Sequence, residues 1–259
     1  MKIVVVIVVF ILIFGSAFYL LRIRTETLRV KSISSSSMSE RVELKTKDNV
    51  AIVGDYYVPG PPAGRSAKGL LLLHMMPATR SSWQALAMNM QAKGFHVLAI
   101  DLRGHGESQG GPDGYKSFSD AEHQASSADV EAGVEFLKSK GITILTLGGA
   151  SIGANLALQY LGIHHATKAA FLLSPGLNYR GVKTESAARG LTSGQAVYYV
   201  ASHDDATSAD ATQKLFDATP ERVEKKITLF ETAGHGTTMF ERESGLMDTV
   251  ALWLLEVTR

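Results

Sequence analysis

The stretch ITILTLGGASIGANLALQYLG (residues 142–162) decides how this chain is read. ITILTLGGA (142–150) has the composition of a strand and IGANLALQYLG (152–162) that of a helix, with Ser151 at the joint. The joint is GASIG (149–153), a Gly-x-Ser-x-Gly pattern. A serine nucleophile presented on a strand–helix elbow needs this arrangement: the sharp turn holds Oγ clear of the backbone and small neighbours prevent collisions. Gly148, Ala150 and Ala154 supply the small neighbours. The same pattern occurs in GESQG (106–110), but there it sits in the polar run DLRGHGESQGGPDG with no helix behind it. Ser151 is therefore the candidate nucleophile and Ser108 is not. A serine N-cap on a tight turn would account for one serine and one glycine. It would not account for the partners found downstream.

Outward from this joint, strand-like and helix-like segments alternate. RVELKTKDNVAIVGDYYVP (41–59) reads as a β-hairpin turning at Lys47-Asp48-Asn49, and GLLLLH (69–74) as a strand buried on both faces. SSWQALAMNMQAKG (81–94) is a helix stopped by glycine, FHVLAID (95–101) a strand, and SADVEAGVEFLKSKG (127–141) a helix ending at Gly141. KAAFLLS (168–174) and QAVYYVAS (195–202) read as strands flanking a polar loop. ATQKLFDAT (211–219) is a helix, KKITLFET (225–232) a strand, and SGLMDTVALWLLEVTR (244–259) a closing helix. This alternation implies one α/β domain with a mostly parallel sheet covered by helices on both faces.

A neutral serine needs a base, and the base needs an acid to orient it. In an elbow topology these follow in the order serine, acid, histidine, each on a loop after a strand. AGHGTTMF (233–240) follows the strand at 225–232 and makes His235 the candidate base, with Gly234 and Gly236 leaving room for its approach. SHDD (202–205) follows the strand at 195–202 and offers two adjacent acids. Asp204 is favoured for its distance beyond the strand, with Asp205 the alternative. An oxyanion needs two backbone N–H donors. Ile152, just after the nucleophile, and Met76, in the loop LLLLHMMPATR (70–80), are the expected sources, with His74 bracing that loop.

Together HMMP (74–77), DLRGHGES (101–108), GASIG, SHDD and AGHG resemble the α/β-hydrolase superfamily over about residues 41–259. The closest likeness is to small bacterial esterases and dienelactone-hydrolase-like serine hydrolases. The resemblance implies an α/β-hydrolase fold without metal or cofactor. Ser151 stands where dienelactone hydrolases usually carry cysteine, which argues against that substrate. The same residue argues against haloalkane dehalogenases, which use aspartate. Met75 replaces the glycine that many relatives have after the histidine. About twenty residues separate Ser174 from Gln195, too few for a large lid. The site is therefore expected to be open, with the GLNYRG loop (176–181) along it.

The whole chain has 259 residues, 26 Lys+Arg against 25 Asp+Glu, and no cysteine. Near-neutral charge gives no basic surface for nucleic acid. The absence of cysteine excludes disulfides, thiolate metal sites and a cysteine nucleophile. Much of the hydrophobicity is concentrated at the start, in IVVVIVVFILIFGSAFYLL (3–21). Nineteen residues at a helical rise make about 28 Å, close to a bilayer core. Residues 1–24 are thus expected to be a transmembrane anchor, 25–40 a flexible linker containing SISSSSMSE, and 41–259 the catalytic domain. Lys2 lies on one side of the span and Arg22, Arg24, Arg29 and Lys31 on the other, which favours a cytoplasmic domain. Cleavage near Gly15-Ser16-Ala17 would instead make the segment a signal peptide and the domain secreted or periplasmic.

The expected activity is hydrolysis of a small or lipid-like carboxylic ester through a Ser151–His235–Asp204 triad. The alternatives are amide, peptide or thioester hydrolysis by the same residues, or a membrane-tethered binding protein without activity. Oligomeric state is not legible in the sequence.

Overall fold

The alternating segments assemble into an eight-stranded sheet in the computed structural model, which describes residues 39–61 and 66–259. The strands of the main sheet are β1 (Glu40–Lys45), β2 (Ala51–Tyr57), β3 (Lys68–Leu73), β4 (His96–Ile100), β5 (Ile144–Ala150), β6 (Ala169–Leu173), β9 (Ala196–Ser202) and β10 (Glu224–Phe230). Two short strands, β7 (Asn178–Tyr179) and β8 (Val182–Lys183), form a separate hairpin. The order across the main sheet is β1-β2-β4-β3-β5-β6-β9-β10. β2 runs antiparallel to both β1 and β4, and the remaining neighbours are parallel. The hairpin turn expected at Lys47-Asp48-Asn49 is present, with Asn49 in the left-handed region at φ 66°.

The parallel strands read as continuous apolar runs because both sheet faces are covered. Successive side chains point to opposite faces, so the run Leu70–Leu73 is divided between two cores. Leu71 and Leu73 join Leu147, Leu172, Val134 and Leu158 on one face. That face is covered by α3 (Ser127–Ser139) and α4 (Ile152–Ile163). Leu70 and Leu72 join Phe171, Tyr198, Trp83 and Trp253 on the other. There α1 (Gln84–Ala92) and α8 (Leu246–Val257) provide the cover. The remaining helices are α2 (Asp120–Gln124), α5 (Glu185–Arg189), α6 (Ala206–Ala218) and α7 (Met239–Arg242).

Beyond the short helices α2 and α7, which fall where no helix was expected, two regions differ from the sequence expectation. The segment expected to be a polar loop between β6 and β9 contains the β7–β8 hairpin and α5. Two-residue strands carry no detectable period, and the turn between them is Arg180-Gly181 rather than a common Asn-Gly. α6 begins at Ala206, five residues before the apolar pattern starts, because its polar first turn shows no helical stripe.

The compact unit spans Ser39–Arg259. The expected anchor at 1–24, and the expected linker up to residue 38, lie outside the described residues. Among the described residues no helix is long and apolar enough to cross a membrane.

Candidate active site

Parallel strands bring their C-terminal ends to one edge of the sheet, where ligand sites of open α/β folds form. The loops after β3, β5, β6, β9 and β10 meet there. Ser151 occupies the turn from β5 into α4 with φ 53° and ψ −118°. A non-glycine residue in that region costs on the order of 1–3 kcal/mol and persists only where its surroundings enforce it. Two backbone bonds do so: Ser151 N–H donates to Leu173 O at 2.8 Å, and Asn155 N–H donates to Ser151 O at 3.1 Å. Ser151 stands at the N-cap position of α4, yet its side chain makes no capping hydrogen bond. The N-cap explanation of this serine therefore fails. Both motif glycines are required by close backbone approach. A Cβ on Gly149 would lie 2.2 Å from Gly153 O, and one on Gly153 would lie 2.2 Å from Leu73 O.

Ser108, in the second Gly-x-Ser-x-Gly pattern, is occupied elsewhere. Its Oγ donates to Asp101 O at 2.6 Å and accepts from Val53 N–H at 2.9 Å, locking the DLRGHGES loop onto β2. Buried Asp101 in the same loop is paired with Arg80.

His235 lies on the loop after β10, between Gly234 (φ 80°) and Gly236 (φ 58°). Here the conformational freedom of glycine is used: a Cβ on Gly236 would meet Met75 Sδ at 2.4 Å and would lie 3.4 Å from Ala150 Cβ. The histidine loop thus packs directly on the residue preceding Ser151. Gly236 N–H also donates to Ser174 Oγ at 2.9 Å, and Ala233 N–H to Ser202 Oγ at 2.7 Å, tying the loop to the ends of β6 and β9.

The carboxylate beside His235 is Asp205, the alternative, and not Asp204, the one favoured from sequence. His235 Nδ1 is 2.6 Å from Asp205 Oδ2 and makes no contact of this kind with Asp204. Asp204 Oδ1 instead accepts from Gly234 N–H at 3.0 Å, and Oδ2 lies 3.2 Å from Arg242 Nη1. The Ser202 side chain foremost, then the Gly234 N–H and the charge of Arg242, hold the Asp204 carboxyl below its ordinary pKa. The physical reason is the length of the ladder. β9 and β10 keep pairing beyond the strand ends, with His203 N–H on Phe230 O and Asp204 N–H on Glu231 O. The turn therefore comes one residue later, at Asp205, whose N–H bonds back to Ser202 O. Asp205 is the N-cap residue of α6 but its carboxylate makes no cap bond, and it faces His235. No hydrogen bond joins His235 to Ser151 Oγ among the described residues; such contacts commonly tighten only when substrate binds.

The loop after β3 is braced as its sequence suggested. His74 is fully buried, with Nδ1 2.9 Å from Met75 O and Nε2 3.0 Å from Leu102 N. A carbonyl on one side and an N–H on the other define the neutral Nδ1–H tautomer. Burial first, and the neighbouring His105 second, push its pKa down to about 4. The close approach of Gly153 to the Leu73 and His74 carbonyls sets the first turn of α4 against this loop. The N–H groups of Met76 and Ile152 make no hydrogen bond among the described residues. For Ile152 this is expected at the first position of a helix.

The sequence reading placed the GLNYRG loop along the site without singling out Tyr179. The Tyr179 ring stands edge-on to His235 with centroids 6.5 Å apart, and its hydroxyl is 2.8 Å from Ser208 Oγ. Burial raises the phenol pKa, opposed by the hydroxyls of Ser208 and Ser151 and reinforced by the charge of Asp205. The sequence signal for this residue was only an aromatic in a polar loop between two strands. Among the described residues no group of three or more His, Asp or Glu side chains converges as metal ligands would.

A doubly covered, mostly parallel sheet with a serine elbow after β5 defines a class, and the chain belongs to it. The family model described as the alpha/beta hydrolase fold matches residues 69–229. Several solved structures share this fold. An esterase of Pyrococcus furiosus superposes with a TM-score of 0.70 at 18% identity, covering 85% of this chain and 93% of that one. A dienelactone hydrolase from Anabaena variabilis gives 0.69 at 14% identity, covering 86% and 100%. An esterase from a Rhodococcus species gives 0.63 at 18% identity, covering 84% and 99%. No curated protein matches the chain.

Proposed function

We propose that this protein is a serine hydrolase of carboxylic esters. Ser151 Oγ attacks the ester carbonyl while His235 accepts its proton and returns it to the leaving alcohol. Asp205 orients the imidazole and stabilises its positive form. The N–H groups of Ile152 and Met76 receive the oxyanion, and water then releases the acid from the acyl-enzyme by the same steps in reverse. The observation that carries this reading is the short His235–Asp205 bond on a loop packed against the residue before Ser151. The strained, uncapped backbone of Ser151 supports it. So does the presence of esterases among proteins of the same fold. Residues 3–21 hold this domain at a membrane in the same proposal, through their uninterrupted apolar run.

The test is labelling with a fluorophosphonate together with hydrolysis of p-nitrophenyl esters of graded chain length. Labelling and turnover should both disappear in Ser151→Ala. Labelling that survives this substitution, or no turnover of any ester by the intact protein, would overturn the proposal. Membrane sedimentation of the full chain, released by deleting residues 1–24, tests the anchor.

A further inference from the structure

A cavity of about 320 Å³ opens beside the candidate oxyanion loop. Met76 and Pro77 form one wall and Arg180 another. Tyr115, Lys116 and Phe118 come from the segment before α2, and His123 from α2 itself. Its charge is one-sided, because no carboxylate lines it. Lys116 is paired with Asp113 at 2.8 Å, and both are solvent-exposed. Arg180 has no ion-pair or hydrogen-bond partner among the described residues. Its charge acts on His123, which is buried, and whose pKa is lowered first by that burial and then by Arg180. Asp120 and Glu122 oppose this only in part, and Glu122 is held by the Ser119 cap.

Arg180 also stands where the backbone prefers another residue. Arg180 and Gly181 form the two-residue turn of the β7–β8 hairpin at φ 51° and 81°. Such turns favour Asn-Gly. Arg180 is exposed, and a long cation without a partner among the described residues stands here where asparagine would suit the turn better. The hairpin is nevertheless firmly placed. Asn155 of α4 donates to Val182 O at 2.8 Å and accepts from Gly176 N–H at 2.9 Å, and Thr184 Oγ1 donates to Gly176 O at 2.7 Å. The nucleophile helix therefore positions Arg180 relative to Ser151, and Tyr179 next to it lies against His235.

We infer that this cavity is a subsite for an anionic group, a carboxylate or a phosphate, carried by the ester substrate, with Arg180 as its principal ligand and Lys116 assisting. The inference rests on the proposed ester hydrolysis. Met76 belongs both to the cavity wall and to the candidate oxyanion loop, so an anion seated here is linked over a short span to the reacting carbonyl. A guanidinium binds carboxylate and phosphate oxygens in pairs.

The test compares kcat/KM for p-nitrophenyl hemiglutarate with that for neutral p-nitrophenyl valerate. The protein is taken as the full chain and as Arg180→Asn, Arg180→Lys and Lys116→Gln. The turn accepts asparagine readily, so Arg180→Asn keeps the hairpin. The full chain should favour the anionic ester about tenfold or more, in keeping with a charge-assisted contact. That ratio should fall about tenfold in Arg180→Asn, fall less in Lys116→Gln, and persist in Arg180→Lys. A merely structural fault would lower both esters together and leave the ratio intact. An unchanged ratio in Arg180→Asn, or a preference for the neutral ester in the full chain, overturns the inference. Calorimetric binding of glutarate and of glycerol 3-phosphate to Ser151→Ala separates the two anions and does not depend on turnover. Arg180-dependent binding without hydrolysis of any ester would sustain the subsite and reject the hydrolase reading. Hydrolysis without charge preference or anion binding would reject the subsite alone.

Discussion

Replacing Asp205 with asparagine is the most informative single change in this site. It keeps the shape of the side chain that lies 2.6 Å from His235 Nδ1 while removing its charge. The side chain is 22% exposed, so an effective dielectric near 20 is appropriate. At a charge separation of about 4 Å, that gives roughly 4 kcal/mol of stabilisation for the imidazolium that the proposed mechanism forms on His235. Each 1.36 kcal/mol is a factor of ten in rate, so kcat should fall about a thousandfold with little change in KM. The neighbouring Asp204→Asn is the control. It loses an exposed contact with Arg242 and one backbone bond, and kcat should stay within about threefold. Steady-state hydrolysis of p-nitrophenyl butyrate measures both, with circular dichroism to confirm folding. A large loss in Asp204→Asn with less than tenfold in Asp205→Asn would refute the assignment and restore the order expected from sequence.

Three further outcomes follow from the same geometry. Gly153→Ala should abolish activity and lower Tm by several degrees in thermal unfolding, because the added methyl would meet the Leu73 carbonyl, a backbone atom that cannot turn aside. Tyr179→Phe removes the hydroxyl bound to Ser208 while keeping the ring against His235, so thermal unfolding should show a loss of about 1 kcal/mol, one neutral hydrogen bond, with kcat changed less than about threefold. His74 has a folded pKa of about 4, below the ordinary value of 6.5. The unfolded state therefore takes up the proton first. The contribution of His74 to stability, on the order of 3 kcal/mol, is complete above pH 6.5 and lost as pH falls through about 4. An NMR titration of the histidine ring should find His74 neutral at pH 5; protonation near pH 6.5 would contradict the buried, doubly bonded geometry.

The strands and most helices were legible because each carries its own period or its own stop. Leu70–Leu73 reads as a run buried on both faces, and Gly94 and Gly141 end helices at φ 90° and 85°. The elbow was legible because its geometry demands small residues at fixed offsets from Ser151. The β7–β8 hairpin was not legible, since two paired residues on each side are too few to show alternation. Neither was the beginning of α6, whose first turn is polar.

What the sequence determined by itself was local: the order of elements, the strand–helix joint at Ser151, and the glycine-flanked His235 on the loop after the last strand. Each rests on residues adjacent in the chain. What tertiary structure decided was facing. Asp204 and Asp205 are chemically identical neighbours, and the choice between them depends on how far the β9–β10 ladder runs before the chain turns into α6. Tyr179 comes to stand edge-on to His235 because Asn155, on a different element, holds its hairpin against α4. Side-chain direction at a turn is set by partners distant in sequence, and no local pattern encodes them.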